Sequence, residues 1–304
     1  MKPFVSSYAL ASPAVPWRRE DEDALFSGLA ELDLSGVEIP FDGVLHRADE
    51  DWLISRLDAR WRVLVTLLPA TMSRLKSDPH FGLASRDTGG RERALELAAG
   101  ASRALSKLRS RAAAVVVHSA PRLGGEARSS LEAFADSLSK LRALDWNGAE
   151  ILVEHCDAWS AERPCDKGFL RLEDECAAAR LSSGKTPVRV LLNWGRSALE
   201  ARSAEGPLTH ARRAREAGLL AGMFFSGVCA EDELYGAWRD SHAPFAASRP
   251  ASVLTRAAAA AALKEAGSVD YLGLKIQPLP ASATTGERLA LLRTSLGELS
   301  AALA

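Results

Sequence analysis

Short runs rich in β-branched and other apolar residues recur along the chain, each followed by a stretch with helical spacing. The runs are Phe4 to Leu10, Gly36 to Phe41, Arg62 to Leu68, Ala114 to Ala120, Glu150 to Cys156, Val188 to Trp194, Leu219 to Val228 and Tyr271 to Pro278. Their starts lie 32, 26, 52, 36, 38, 31 and 52 residues apart. Each interval has room for a helical crossover and is too long for a hairpin, so eight parallel strands are predicted. Between them, Leu131, Phe134, Leu138 and Leu141 make one apolar helical stripe, and Leu289, Leu292, Leu296 and Leu299 make another. Ala94, Ala98, Ala101, Leu105 and Leu108 form a third, and the alanine run Ala257 to Ala262 suits a helix packed closely on strands. Eight βα units with no composition break or proline-rich linker predict a single α/β domain over residues 1–304, a closed (β/α)8 barrel rather than an open sheet.

Two connections after strands are long, Pro69 to Gly90 and Cys229 to Pro250. Loops of that length in compact domains are often lids or binding loops, and in a barrel they stand on the face that carries the active site. With Trp159 to Gly168 they are expected to frame it. Side chains alternate along a strand, so one set lines the barrel interior and the other meets the helices. In Tyr271-Leu272-Gly273-Leu274-Lys275-Ile276-Gln277 the leucines and the isoleucine share one face, which sends Lys275 and Gln277 into the mouth. The same alternation puts Glu154 opposite Val153 and Asn193 opposite Leu192. Glu38, His118, Glu154, Asn193, Ser226 and Lys275 are therefore expected to converge on one site. Packing a barrel needs none of them, although Glu154 and Lys275 could also be a purely structural ion pair.

Composition narrows the function classes. Lys+Arg number 38 against 39 Asp+Glu, a formal charge of -1, which offers no surplus of positive charge for a phosphate backbone and argues against a nucleic-acid partner. No apolar run approaches the roughly 20 residues of a membrane helix. At the start, Ser6, Ser7 and Tyr8 interrupt the apolar stretch after one Lys, so the segment reads as a first strand and not as a signal peptide. Cys156, Cys165, Cys176 and Cys229 show no C-x-x-C pairing, and reduced thiols in a cytoplasmic protein are expected. Ala179-Arg180-Leu181-Ser182-Ser183-Gly184-Lys185-Thr186 approximates a phosphate-binding loop, but it follows a helical stretch and runs through Pro187 into a strand, the reverse of the required context. No G-x-S-x-G elbow or G-x-G-x-x-G helix opening is present.

Three strand ends, Gly36-Val37-Glu38-Ile39-Pro40, Val115-Val116-Val117-His118-Ser119 and Ile151-Leu152-Val153-Glu154-His155, resemble those of the xylose isomerase-like TIM barrels, a superfamily of sugar isomerases, epimerases and endonuclease IV. Glu154-His155-Cys156-Asp157-Ala158, Lys167-Gly168-Phe169-Leu170, Leu192 to Ala198 and Gly273 to Pro278 are similar to a bacterial branch known only as a domain of unknown function. The resemblance spans essentially the whole chain. It implies a carbohydrate-like small-molecule ligand and admits a homodimer. It also implies a divalent metal, Mn or Mg, held in the sugar epimerases by a Glu, an Asp, a His and a Glu ending the fifth to eighth strands.

Glu154 matches the first ligand, and the others depart. Asn193 stands for the Asp, a phenylalanine or Ser226 for the His, and Lys275 or Gln277 for the second Glu, while the D-x-x-H motif becomes Asn193-Trp194-Gly195-Arg196. An amide and a cationic Lys are poor partners for a hard cation. If a metal binds, Glu154 would have to recruit His118, His155 or Asn193. Otherwise Lys275 is expected to occupy the metal's space and stabilise a developing enediolate while Glu154 shuttles the proton, so that Lys275→Met abolishes turnover and leaves the fold intact. Arg196 is expected to hold a substrate phosphate or carboxylate. His242, in Trp238 to Phe245, is expected to reach the ligand from an ordered lid, with Trp238 as an alternative. His155 and Gln277 complete the expected binding set. The leading expectation is a sugar or sugar-acid isomerase/epimerase-like protein with a degenerate metal site; alternatives are a sugar- or polyol-binding barrel without catalysis and an abasic-site endonuclease. The last needs a His-rich trinuclear cluster, of which only His118 and Glu154 are matched.

Overall fold

The structure, a computed structural model, describes residues 1–13 and 17–304. Eight parallel strands close on themselves in sequence order: β1 (Phe4–Ser6), β2 (Gly36–Pro40), β3 (Arg62–Thr66), β4 (Ala112–Val117), β5 (Glu150–Glu154), β6 (Val188–Asn193), β7 (Leu220–Phe225) and β8 (Tyr271–Leu274). Pairing of Phe4 with Gly273 and of Val5 with Leu274 shuts the ring. All eight predicted strands are present. Gly273 has no side chain because the Phe224 ring fills its space; a Cβ there would lie 2.3 Å from the ring edge.

Helices α1 (Ser7–Leu10), α2 (Arg19–Ala30), α3 (Glu50–Arg56), α4 (Leu68–Leu75), α5 (Thr88–Leu108), α6 (Leu131–Arg142), α7 (Leu172–Leu181), α8 (Trp194–Ala201), α9 (Glu205–Glu216), α10 (Arg256–Ala266) and α11 (Thr285–Leu303) wrap the ring. The stripes read from spacing are the buried faces: Phe134, Leu138 and Leu141 on α6 are fully buried, as are Ala98, Ala101, Leu105 and Leu108 on α5. Starts follow from caps. Ser130, Thr255 and Thr284 accept from the amides of Ala133, Ala258 and Glu287, and Glu287 answers Thr284 in a reciprocal capping box. No helix among the described residues is long and apolar enough to cross a membrane.

Two boundaries correct the sequence expectation. The first strand stops at Ser6, because the Ser7 hydroxyl donates to the Glu38 carbonyl at 3.1 Å and Ala11 N closes a helical turn onto Ser7 O. Pro69 to Gly90 is not a plain loop. Thr66 Oγ1 accepts from Leu68 N, and Pro69 falls in the first turn of α4, where its missing N–H costs nothing. Cys229 to Pro250 does lack helix, yet it is pinned. Gly227 and Ala243 exchange both backbone bonds, Arg249 grips Asp232 at 2.6 and 2.8 Å, and the Tyr235 hydroxyl donates to Gln277 O. The phosphate-loop look-alike lies at the end of α7, where Arg142 donates to the carbonyls of Ser182, Gly184 and Thr186. Three of its carbonyls thus converge on one guanidinium, where a phosphate-binding loop would converge its amides on an anion.

Two apolar layers result. One joins helices to the outer strand faces, and the other, with Phe4, Leu64, Val116, Leu152, Leu191 and Phe224, fills the barrel. Above that filling, each strand contributes one buried polar residue, Glu38 from the middle of β2 and Ser6, Thr66, His118, Glu154, Asn193, Ser226 and Lys275 from at or just beyond the C-terminal ends of the others, none more than 3% exposed. Six of the eight were expected from alternation. Ser6 and Thr66 complete the ring.

Candidate active site

The ring is a charge network centred on Glu154. Lys275 Nζ sits 3.0 Å from Glu154 Oε1 and 3.1 Å from Glu38 Oε1, while Ser6 Oγ donates to Glu38 Oε2 at 2.6 Å. The other Glu154 oxygen meets His118 Nε2 at 2.9 Å and Arg196 Nη1 at 2.8 Å. Burial pushes the Glu154 carboxyl up, but Arg196 and Lys275 outweigh it and hold the group well below the carboxylate range. Burial also disfavours charge on Lys275, and Glu154 and Glu38 outweigh that in turn, keeping it an ammonium. Glu38 goes the other way, raised by burial that Lys275 only partly offsets.

Asn193 explains why this layer closes on itself. Its Oδ1 caps α8 by accepting from Arg196 N and also accepts from Ser226 Oγ at 2.7 Å, which leaves Nδ2 to face Glu154 Oε1 at 3.4 Å. Asp at this position would turn a second carboxylate toward Glu154. Gly195 lets the strand-to-helix turn pass Ser226 closely, since a Cβ there would lie 2.6 Å from the Ser226 carbonyl.

A second layer of charge lies above. Asp240 accepts from Arg196 Nε at 3.0 Å and from Lys167 Nζ at 2.7 Å, and its Oδ1 is 3.3 Å from His242 Nδ1. Lys167 is delivered by its loop: the Asp157 carboxylate accepts from the amides of Lys167 and Gly168, and Gly168 takes φ +66. His242 also sits at positive φ, 52°, a conformation costly for a non-glycine residue. Its carbonyl accepts from Gln277 N and its neighbour Ala243 pairs with Gly227, contacts that hold the strained turn in place.

These second-layer residues, not the ring, meet the open space. A cavity of about 710 Å³ at the barrel mouth has a polar end made by Tyr8, Lys167, Arg196, Asp240, His242 and Gln277 and an apolar wall that includes Ile39, Leu68 and Met72. Glu38, His118, Glu154, Asn193, Ser226 and Lys275 lie beneath this floor and line none of the cavity. Arg196 is fully buried, and its Nη2 has no hydrogen-bond partner. Tyr8 stands over Lys275, with Nζ 5.7 Å from its ring centre. Gln277 lines the cavity but is exposed.

Two expected residues lie elsewhere. His155 points to the helices, since it follows Glu154 and alternation puts neighbours on opposite faces; its Nδ1 is 2.7 Å from Glu175 and its Nε2 3.1 Å from Glu200. Burial disfavours its charge, and the two glutamates outweigh this and push it up to about 10. Trp238 stacks with Arg202 and does not line the cavity. Tyr8, Lys167 and Asp240 escaped the sequence reading because loops deliver the last two and an unrecognised helical turn the first. The position of Asp240 two residues before His242 was the available signal.

The donor set does not fit the divalent ion expected from the resemblance. Both Glu154 oxygens are engaged by cations, and Lys275 fills the space between Glu38 and Glu154. Among the described residues, the group of His, Cys, Asp or Glu side chains that could hold an ion is instead His155, Glu200 and His210, outside the barrel.

Burial leaves His118 near pKa 4 and His242 near 3, in each case against a carboxylate's pull. Unfolded, both titrate near 6.5. Below that pH the unfolded chain binds protons that the folded chain refuses, so their contribution is full above 6.5 and is lost as pH falls toward 4 and 3. Between pH 6.5 and 5, stability is expected to fall by up to about 1.4 kcal/mol per pH unit for each histidine. Urea midpoints across that range measure it, and His118→Asn should flatten the slope; an unchanged slope would contradict the assignment.

Compared with known proteins, the chain matches the family described as Domain of unknown function (DUF4862) over residues 4–291. It is 30% identical over 301 residues to Uncharacterized protein STM3670 of Salmonella typhimurium, covering 96% of this chain and 95% of that one. A Rhodospirillum rubrum protein provisionally named a xylose isomerase superposes with a TM-score of 0.70 at 15% identity, covering 99% of both chains. D-psicose 3-epimerase from Clostridium cellulolyticum, solved with D-tagatose, gives 0.59 at 13% identity over 100% of this chain and 97% of that one. The fold is thus a xylose isomerase-like TIM barrel.

Proposed function

Because the chain belongs to the family described as Domain of unknown function (DUF4862) and has the xylose isomerase-like barrel, we propose that it acts on a sugar or sugar acid, moving a proton at a carbon next to a carbonyl as isomerases and epimerases do. Fixed side-chain cations take the place of a metal ion. The observation that carries this reading is the buried Arg196 guanidinium at the cavity floor, charged and with Nη2 free of any protein partner. A carbonyl or carboxylate oxygen of the ligand completes it, and Lys167 lies beside it on the same Asp240 oxygen. As the carbon loses its proton, negative charge grows on that oxygen, where a preorganised guanidinium stabilises it most.

His242 carries the proton. It lines the cavity and is neutral, so it can accept the proton from the carbon and return it on the same face to the adjacent carbon. Glu154 acts from one layer below by holding Arg196 in place, and Lys275 balances the carboxylates there. The apolar wall suits the carbon face of a sugar. Cytoplasmic residence and a homodimer belong to the same proposal; the four unpaired thiols fit a reducing compartment.

The test is solvent exchange. Ketoses, aldoses and their acids are incubated with the protein in deuterated water, and deuterium at the carbon next to the carbonyl is read by NMR. Exchange with one class, lost in His242→Asn, is expected. A second reading, a barrel that binds a sugar or polyol without turning it over, draws support from the burial of Glu154 and Lys275 beneath the floor. Saturable binding with no exchange across the panel would replace the first reading with this one.

A further inference from the structure

On the outer side of the barrel wall, three elements bring metal-ligating atoms together. His155 follows β5, Glu200 lies on α8 and His210 on α9, and their donor atoms all fall within 4.8 Å of one another. The contacts to Glu200 are 3.1 Å from His155 Nε2 and 3.5 Å from His210 Nε2. The first contact reaches Oε2 and the second Oε1, and both are close to the about 3.3–3.4 Å that separates ligand atoms on tetrahedral zinc with bonds of about 2.0–2.1 Å. The second nitrogen of each ring is also held, His155 Nδ1 by Glu175 at 2.7 Å and His210 Nδ1 by Ser197 Oγ at 3.0 Å. Such outer partners fix a metal-bound imidazole's tautomer and orientation.

Charge and access agree. Without an ion, Glu175 and Glu200 hold a proton on His155; a dication that displaces this proton balances the two carboxylates in its place. Arg213, at its opening, is already paired with Glu173. His155 and Glu175 are fully buried, whereas the Glu200 side chain is 24% exposed and borders a pocket of about 330 Å³ lined also by Trp159 and Cys165. Two histidines and one carboxylate leave a fourth position for water on that side. We infer that His155, Glu200 and His210 bind one divalent transition-metal ion of the zinc class, outside the barrel and independent of the cavity at its mouth.

Full-length protein stripped with a chelator is titrated with Zn²⁺ alone by calorimetry, and with Co²⁺ by visible absorption. One ion per chain with the absorption of tetrahedral cobalt is expected. His210→Asn should weaken binding on the order of 100-fold or more, and Ser197→Ala about 10-fold, since it removes only an outer partner. His118→Asn, inside the barrel, should leave binding unchanged. Thermal melts confirm that each variant is folded. No uptake by the unaltered protein, uptake that survives His210→Asn, or uptake lost in His118→Asn would each overturn the assignment.

Discussion

Lys275→Met is expected to lower the stability of the folded chain by about 3–5 kcal/mol, the cost of leaving a buried carboxylate without its partner. Lys275 is wholly buried between Glu38 and Glu154, with Nζ 3.1 and 3.0 Å from their oxygens. When the ammonium goes, Glu154 keeps Arg196 and His118, but Glu38 keeps only the Ser6 hydroxyl. The loss therefore falls mainly on Glu38. Adding Glu38→Gln removes the stranded charge, and the double variant should recover a large part of the deficit. Urea unfolding of the two single variants, the double variant and the parent measures the coupling. A Lys275→Met protein as stable as the parent would show that the network is not what it looks to be. The sequence alone led to the opposite expectation, an intact fold, because it could not show that the same ammonium serves two glutamates.

Arg196→Met is expected to reduce the rate of deuterium exchange about 10²- to 10³-fold, the usual cost of one donor aimed at a developing oxyanion. Its effect on stability should be the smaller of the two substitutions. Glu154 retains Lys275 and His118, and Asp240 retains Lys167 at 2.7 Å. Arg196→Lys should restore charge without the two-pronged geometry and recover only part of the rate. Equal exchange rates in the parent and in Arg196→Met would remove the guanidinium from the chemistry.

The architecture is largely legible in the sequence. Strand spacing gave the βα count, and alternation gave six members of the inward ring, because a period of two is a local property that tertiary packing seldom overrides. What it missed was set by contacts between distant segments. The Ser7–Glu38 bond that turns β1 into α1 links residues 31 apart, and Lys167 meets Asp240 across 73. His155 was placed in the site beside Glu154, although the alternation that found Glu154 sends its neighbour outward. Of the polar residues that line the cavity's inner end, Arg196, His242 and Gln277 were legible. No periodicity announced that a second layer of side chains would roof the first.

Asn193 has a consequence for how such proteins change over time. It donates to Glu154, accepts from Ser226 and caps α8 at once, so every polar atom of its amide is committed to a floor that carries its own cation. Asn and Asp differ by a single base change, yet Asn193→Asp alone would set a carboxylate against Glu154 while Lys275 still occupied the space a dication would need. Reverting Lys275 alone strands Glu38 instead. A lineage passing between this arrangement and a metal-centred one must cross an unstable intermediate in either order, so the two residues are expected to change hands together.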